Sequence, residues 1–359
     1  MSVKKGLSVF LLLSFAIGGA VLLYSVDRSS FLIFRQASGL KLWMAFLLVA
    51  GTWLLDALKL LLLTRAAGEN ISYGLSLELT WINYFGAAIT PMQSGGGPFQ
   101  MYIMYHSGIS VGKSAAITIV RTILVMLILG MMIPFTVMMD GDMLQFGWGA
   151  RGFVFYVVIL ISAVWLALVI SIVRPELVKR LAVRIIMLLK RLGLLKPEWV
   201  GKILTFVSRE IDLYNENLRA FMTTGRRYFI FGVFAAFLQI IVQLSVMPCI
   251  IWAFGMPVLY PQCVLAQALF LFLLYFIPTP GGSGAAEGGA ALVFSIFVPW
   301  NVAGMLGVGW RFLTEYTGIL LGAVVAVKRI GWKLANQIMA EDKAGKSAGD
   351  SSDGGPPAG

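Results

Sequence analysis

IPTPGGSGAAEGG, residues 277–289, interrupts a long apolar region in which an unbroken membrane helix would carry leucine and valine. Pro278 and Pro280 cannot continue a helix, and the glycines accept backbone angles that other residues avoid. We therefore predict that one helix ends near Phe276 and that a second begins near Gly284. Irregular backbone is tolerated in hydrocarbon only where it is buried in protein or lines a wet cavity. The interruption thus indicates a functional site; a kinked helix with a packing role is the alternative.

The composition is that of an integral membrane protein. Of the 359 residues, 59% are hydrophobic and only 13% are charged, which excludes an ordinary soluble protein. The net charge of +11 does not require a nucleic-acid partner, because membrane topology explains the basic residues. His106 is the single histidine, which excludes a His-cluster metal site and disfavours a Ser-His-Asp triad. We expect no metal, no cofactor and no catalytic residue.

Six apolar runs are long enough to span a bilayer, for which roughly 20 residues are needed. They are residues 7–24, 40–63, 112–139, 153–173, 228–254 and 301–327. Two further apolar regions, 75–104 and 262–297, are broken in the middle, the first at TPMQSGGGP (residues 90–98) and the second at residues 277–289. The arms beside each break hold about 10 to 16 residues, or roughly 15 to 24 Å of helix. This length suits a re-entrant hairpin.

The basic residues predict the orientation, because Lys and Arg are enriched on the cytoplasmic side of membrane proteins. With six crossings and two hairpins, 21 basic residues lie on the cytoplasmic side and 4 outside. Both termini are then cytoplasmic, in a bacterial cytoplasmic (inner) membrane. An eight-helix variant, in which both broken regions cross fully, stays open.

The two halves of the membrane region repeat. Thr-Pro at residues 90–91 matches Thr-Pro at residues 279–280, and each pair is followed by a glycine cluster and then by a helix with one arginine, Arg121 or Arg311. Each unit is a spanning helix, a broken hairpin and a second spanning helix. The first unit starts outside and the second inside, so we predict an inverted repeat, which is typical of secondary transporters. The predicted fold is an all-α polytopic membrane protein.

We predict five segments. Residues 1–39 hold the first membrane helix and an external loop, 40–173 the first repeat half, 174–227 a basic amphipathic cytoplasmic connector, 228–330 the second half, and 331–359 a disordered cytoplasmic tail. The cations of the connector favour anionic lipids of the cytoplasmic leaflet. An ordinary solvated linker is the alternative.

Charged residues within the membrane mark functional sites, because they are costly there. Arg121 and Arg311 both fall near mid-depth, and we expect them to face each other across the repeat. An arginine fork suits a phosphate, and the helices that begin after the glycine clusters present N–H groups that favour an anion. A lipid phosphate is the predicted ligand; purely structural pairing of both arginines is the alternative. Asp56 and Lys59 are expected to pair or to snorkel.

The predicted substrate-binding residues also include two carboxylates and an amide. Glu315 is four residues after Arg311 and is expected to neutralise it. Glu287 opens the second half-helix and is expected to hold an arginine when no substrate is bound. Gln100, at the end of the first break, is expected to donate to headgroup oxygens. The remaining members of this set are Gly95, Gly96, Gly97, Pro280, Gly281, Gly282, Ser283 and Gly284.

The two breaks together resemble the flippase-like membrane family related to the transmembrane part of lysylphosphatidylglycerol synthase, the multiple peptide resistance factor. The late motif matches the pattern P-x-P-G-G-x-G-x-x-E, and the early one is TPMQSGGGPFQ at residues 90–100. The resemblance covers about residues 5–330, and Gln100 stands where many relatives carry arginine. The soluble aminoacyl-transfer domain is absent from this chain, so we do not expect lipid lysylation.

The resemblance implies movement of a lipid across the membrane. Combined with the two arginines, it predicts a flippase for a lipid with an anionic, phosphate-containing headgroup, and not an enzyme. The alternatives are an integral membrane transferase that acts on a lipid-linked sugar, and a small-anion or ion-coupled secondary transporter. The sequence leaves open whether the protein is a homo-oligomer.

Overall fold

The computed structural model describes residues 3–139 and 225–331, with a few isolated residues between these ranges. Within them the regular structure is helical apart from one isolated antiparallel bridge. The first range holds α1 (Val3–Ser25), α2 (Arg28–Arg35), α3 (Gly39–Ala66), α4 (Tyr73–Ala88), α5 (Gly96–His106) and α6 (Val111–Met139). The second holds α7 (Arg226–Leu244), α8 (Val246–Ala253), α9 (Tyr260–Leu274), α10 (Ala285–Ser295), α11 (Trp300–Arg311), a π-helical turn (Phe312–Tyr316) and α12 (Thr317–Arg329).

Five stretches of helix in the described ranges are long and apolar enough to cross a membrane. They are Val3–Ser25, Gly39–Ala66, Val111–Ile133, Arg226–Ala253 and Trp300–Arg329. The prediction of an all-α membrane protein is therefore confirmed, and these stretches coincide with five of the six predicted spans. The sixth span, at 153–173, the connector up to residue 224 and the tail from residue 332 lie outside the described ranges.

The predicted external loop contains a short helix, α2, that the apolar pattern did not indicate. Asp27 caps it, since its Oδ1 accepts a hydrogen bond from the Ser30 backbone N–H at 2.9 Å, while the Ser30 hydroxyl accepts from the Asp27 N–H at 3.1 Å. This reciprocal capping box favours a helix at that point. Helix α7 also ends earlier than predicted, because Pro248 has no N–H for the Leu244 carbonyl.

Helix bounds repeat between the two halves at an offset of 189 residues. Helix α5 and helix α10 are both 11 residues long, and each begins two residues after the serine of its break, Ser94 or Ser283. Helix α6 begins at Val111 and α11 at Trp300, again 189 residues apart. The resemblance of the two sequence motifs therefore extends to the helices around them.

The two breaks contact each other. Pro91 and Pro280, which occupy equivalent positions in the repeat, form the isolated antiparallel bridge. The Gly281 N–H donates to the Thr90 carbonyl oxygen at 3.2 Å. The two interrupted segments therefore meet within the protein rather than facing lipid separately.

The threonine of each Thr-Pro pair satisfies backbone groups of its own break. The Thr90 hydroxyl donates to the Gly86 carbonyl at 2.8 Å and accepts from the Gly95 N–H at 2.7 Å. The Thr279 hydroxyl donates to the Ser283 carbonyl at 2.9 Å. These bonds supply partners that the missing helical turns would otherwise provide.

The ends of the first broken segment lie near the C-terminal end of α3. Lys113, at the start of α6, forms an ion pair of 2.6 Å with Glu69, just after α3. The ends of the second broken segment lie near the other end of α3. There, the Ser38 N–H donates to the Ala253 carbonyl at 2.8 Å, and the Ser30 hydroxyl donates to the Asn301 carbonyl at 2.7 Å.

Helices of the two halves pack against each other in matched pairs. Helix α3 packs on α7, α6 packs on α9, and α12 packs on α4. Helix α1 lies outside the repeat and packs on α10 and α11. The interior between these helices is filled by buried aliphatic and aromatic side chains such as Leu60, Phe85 and Phe294.

We expect Thr90→Val to destabilise the protein by about 1–3 kcal/mol, because the Gly95 N–H loses its acceptor inside the protein. Thr52→Val is the matched control, since the buried Thr52 hydroxyl bonds, within the described ranges, to the Leu48 carbonyl of its own helix alone. Thermal unfolding of both variants in detergent measures the difference. Equal midpoints for the two variants would show that the threonine does not support the break.

Candidate functional site

A cavity of about 440 Å³ opens beside the first break. Helices α3, α6 and α7 form its other walls, and the π-helical turn contributes Glu315. Its polar and charged lining residues are Asp56, Lys59, Asn83, Tyr84, Gln93, Ser94, Thr118, Arg121, Thr122, Gln239, Gln243, Tyr275 and Glu315. The cavity thus combines the irregular backbone of the break with several charges at the centre of the helices.

Three charged residues on one wall form a buried cluster. Arg121 Nη2 of α6 donates to Asp56 Oδ2, and Lys59 Nζ lies 2.5 Å from Asp56 Oδ1. Lys59 is fully buried and also donates to Gln239 Oε1 at 3.0 Å, and the Gln239 amide in turn donates to Gln243 Oε1 at 2.9 Å. Two cations share one carboxylate, so the cluster has one positive charge in excess.

A second buried cluster lies around Arg311. Its Nη2 donates to the Gly281 carbonyl at 2.8 Å, and its guanidinium lies 3.6 Å from both Glu287 and Glu315. Glu287 accepts hydrogen bonds from the Ser14 hydroxyl at 2.9 Å and from the Tyr316 hydroxyl at 2.7 Å. Here two carboxylates share one cation, so this cluster has one negative charge in excess.

The π-helical turn determines which residues join these groups. A π turn is rare and is often found at functional sites. It ends α11 directly after Arg311, and its last two residues diverge: Glu315 lines the cavity, while the Tyr316 hydroxyl bonds to Glu287. The turn therefore connects the second cluster to the cavity.

Comparison with known proteins places these residues in a family. The model of the lysylphosphatidylglycerol synthase TM region matches residues 10–322. The chain belongs to this family. It is also 28% identical over 319 residues to a protein of Archaeoglobus fulgidus named "UPF0104 membrane protein", with 88% of this chain and 94% of that protein covered. The match to the lysylphosphatidylglycerol synthase TM family confirms the resemblance inferred from the two breaks.

Some of the predicted site residues lie together in this family member. Arg121, Glu315 and Gly97 line the cavity, and Arg311 and Glu287 lie in the adjacent cluster. The expected neutralisation of Arg311 by Glu315 and the expected contact between Glu287 and an arginine are both present. Asp56 and Lys59 do pair, as expected, but Lys59 is buried and does not snorkel.

Other predicted residues are not among those that line the cavity. Gln100 is buried, and its amide donates to the Leu79 carbonyl at 2.8 Å, which leaves its predicted donation to a headgroup without support. The Gly284 N–H at the start of α10 donates to Glu287 Oε2 at 2.6 Å, so the carboxylate already occupies the place predicted for an anion. The predicted residues of the two breaks that do not line the cavity are Gly95, Gly96, Pro280, Gly281, Gly282, Ser283 and Gly284.

The glycines of the breaks serve close packing instead. A Cβ on Gly96 would lie 2.2 Å from the Asn83 side-chain oxygen, and one on Gly95 would lie 2.7 Å from the Gly86 carbonyl oxygen. Gly281 and Gly284 have φ angles of +61° and +85°, which other residues rarely adopt. Their presence follows from backbone geometry, and a role in ligand contact is not needed to explain them.

The sequence analysis did not assign Asp56 and Lys59 to the site, and it missed Met92, Gln93 and Tyr275. A signal was available for the first two, because a carboxylate and a lysine within an apolar span are expensive and functional by default. No comparable signal exists for Tyr275, since its proximity to Arg121 arises from the packing of α9 on α6.

We expect Glu287→Gln to lower stability by about 3 kcal/mol, because the Glu287 carboxylate accepts from the Ser14 and Tyr316 hydroxyls and the Gly284 N–H, and an amide nitrogen cannot accept these bonds. Glu315→Gln should have a much smaller effect, since the Glu315 side chain is 23% exposed and Glu287 still compensates Arg311. Thermal unfolding of the two purified variants provides the measurement. A larger loss for Glu315→Gln would contradict this assignment of roles.

Proposed function

We propose that this protein is a flippase that moves a lipid with an anionic, phosphate-containing headgroup across the membrane. The observation that carries the proposal is the cluster of Asp56, Lys59 and Arg121 on the wall of the cavity, with its one unbalanced positive charge. A positive charge buried among apolar helices is stabilised when an anion enters beside it. The headgroup is that anion, and the acyl chains remain in the bilayer.

The cavity fits a headgroup in size and chemistry. Its volume of about 440 Å³ lies within the range of roughly 300–1,000 Å³ that small-ligand sites occupy. Arg121 uses Nη2 for Asp56, and its Nε has no hydrogen-bond partner among the described residues. A guanidinium with donors to spare binds phosphate oxygens well. The family description, which refers to a synthase of a phospholipid, also supports a lipid substrate.

We further propose that the two broken segments are re-entrant hairpins that enter from opposite sides. Helix α3 has 28 residues, so its ends are separated by about 42 Å. The contact of Lys113 with Glu69 supports a first hairpin with both ends at the C-terminal end of α3. The contacts at Ala253 and Asn301 support a second hairpin with both ends at the opposite end.

An inverted repeat accounts for how the halves contact each other. A two-fold axis between the halves pairs equivalent residues with each other in antiparallel fashion, as Pro91 and Pro280 are paired. The same axis relates the contact between α6 and α9 to the equivalent contact between α12 and α4. These observations support six spanning helices plus two hairpins. The protein then lies in the cytoplasmic membrane, and the basic residues favour a cytoplasmic position for both termini.

Labelling from the two sides of the membrane tests the hairpins. In a variant with Cys249 and Cys263 replaced by alanine, we expect Ser107→Cys, after α5, to react with an impermeant maleimide from the cytoplasmic side. Ser295→Cys, at the end of α10, should react from the external side. Reaction of both positions from the same side would contradict the opposed hairpins.

Transport measurements test the function itself. We expect the wild type in liposomes to move fluorescent phosphatidic acid between leaflets faster than fluorescent phosphatidylcholine, as followed by dithionite quenching. Arg121→Gln should slow movement of the anionic lipid about tenfold or more, because it removes the unbalanced charge. The variant should still fold, since it leaves Asp56 paired with Lys59.

Lys113→Gln is the matched control, because it also removes a cation, but from an ion pair in which the side chains are 42% and 27% exposed. Its transport rate should equal that of the wild type. No movement of anionic lipid by the wild type would reject the flippase proposal. Uptake of inorganic phosphate by the same liposomes, without lipid movement, would support the small-anion alternative instead.

A further inference from the structure

Two successive residues of the first break have left-handed backbone conformations without being glycine. Met92 and Gln93 have φ angles of 54° and 55°. They are the only non-glycine residues with positive φ in the described part of the chain. This region is strained for residues with a Cβ, and such strain is concentrated at functional sites.

The second break shows that the turn does not itself require these side chains. Gly281 and Gly282, each 189 residues further along, have φ angles of 61° and 65°. The sequences are TPMQSG and TPGGSG, so the two equivalent left-handed positions carry side chains in the first break and glycines in the second. Glycine adopts this conformation without strain. The methionine and the glutamine therefore occupy two positions at which glycine would be less strained.

The location of these two side chains indicates a role at the cavity. Met92 and Gln93 both line the cavity that also holds Arg121 and Lys59, whereas Gly281 and Gly282 do not. Met92 is 49% exposed, Gln93 is partly exposed, and the Gln93 side chain has no hydrogen bond among the described residues. A Cβ on Gly282 would lie 3.9 Å from Gln93 Nε2, which places this amide where the two breaks meet.

We propose that Met92 and Gln93 form a second part of the headgroup site, in the same cavity as the charged cluster. The Gln93 amide donates to or accepts from polar groups of the headgroup, and Met92 covers its apolar side. The amide can bond to hydroxyl or ester oxygens that the cations do not distinguish. Charge then selects an anionic headgroup, and Gln93 selects among anionic headgroups. This inference rests on the proposed function and identifies a specificity-determining residue for it.

Replacement of both residues by glycine tests the proposal, because it gives the two left-handed positions of the first break the residues that the second break has there. We expect the Met92→Gly/Gln93→Gly variant to unfold at a temperature no lower than the wild type. Relief of two strained φ angles offsets the additional freedom of glycine in the unfolded chain. The affinity for short-chain phosphatidylglycerol, whose headgroup carries hydroxyls, should fall about tenfold. The affinity for short-chain phosphatidic acid should fall less.

Two single variants distinguish the contribution of the Gln93 amide to affinity from the effect of the backbone conformation. Gln93→Asn retains an amide and tolerates the left-handed region, whereas Gln93→Met retains the length and lacks the amide. We expect Gln93→Asn to bind phosphatidylglycerol more tightly than Gln93→Met does. Equal affinities for these two variants, or an unchanged affinity in the double-glycine variant, would overturn the inference and leave the flippase proposal standing.

Failure of the proposed function gives a different result. If the wild type binds neither phosphatidylglycerol nor phosphatidic acid, the headgroup site is absent, and both proposals are rejected together. Thermal unfolding with and without each lipid measures all of these affinities on full-length protein. A double-glycine variant that unfolds at a clearly lower temperature would show that the side chains stabilise the turn, which also contradicts the inference.

Discussion

Polar backbone groups in the two breaks must find partners inside the protein, because apolar surroundings offer none. The Thr90 hydroxyl accepts from the Gly95 N–H and the Thr279 hydroxyl donates to the Ser283 carbonyl, each within its own break, and the Thr90 carbonyl accepts from the Gly281 N–H of the other break. Charged groups serve the same purpose: Arg311 donates to the Gly281 carbonyl, and Glu287 accepts from the Gly284 N–H. The breaks therefore depend on each other and on the second cluster.

Because of this constraint, Arg121 and Arg311 have different roles. Arg311 and Glu287 are committed to the backbone of the second break, so their charges are part of the fold. Arg121 makes no backbone contact of this kind among its described hydrogen bonds, and it faces a cavity with Lys59 beside it. The excess positive charge of one cluster and the excess negative charge of the other balance overall. An anion at Arg121 therefore enters a region that is neutral as a whole and locally positive.

Much of the architecture could be predicted because membrane helices follow simple rules of length and apolarity. The breaks at 90–98 and 277–289 follow from proline and glycine, whose backbone limits are local properties. The partner of Arg121 could not be predicted, since the pairing with Asp56 depends on how α3 packs against α6. The expectation that Arg121 and Arg311 face one shared phosphate stays a prediction. Arg121 pairs with Asp56 while Arg311 lies beside Glu287 and Glu315, and of the two arginines only Arg121 lines the cavity.

Helix α1 explains why two similar breaks produce a cavity on one side. It lies outside the repeat, and its side chains cover the second break: a Cβ on Gly284 would lie 2.6 Å from Ile17, and one on Gly281 would lie 3.0 Å from Phe10. Ser14 of the same helix bonds to Glu287, whose equivalent in the first half, Pro98, lines the cavity. Among the described helices, none takes the place of α1 beside the first break. The described helices thus leave open beside the first break the space that α1 fills beside the second, and Met92 and Gln93 line the cavity there.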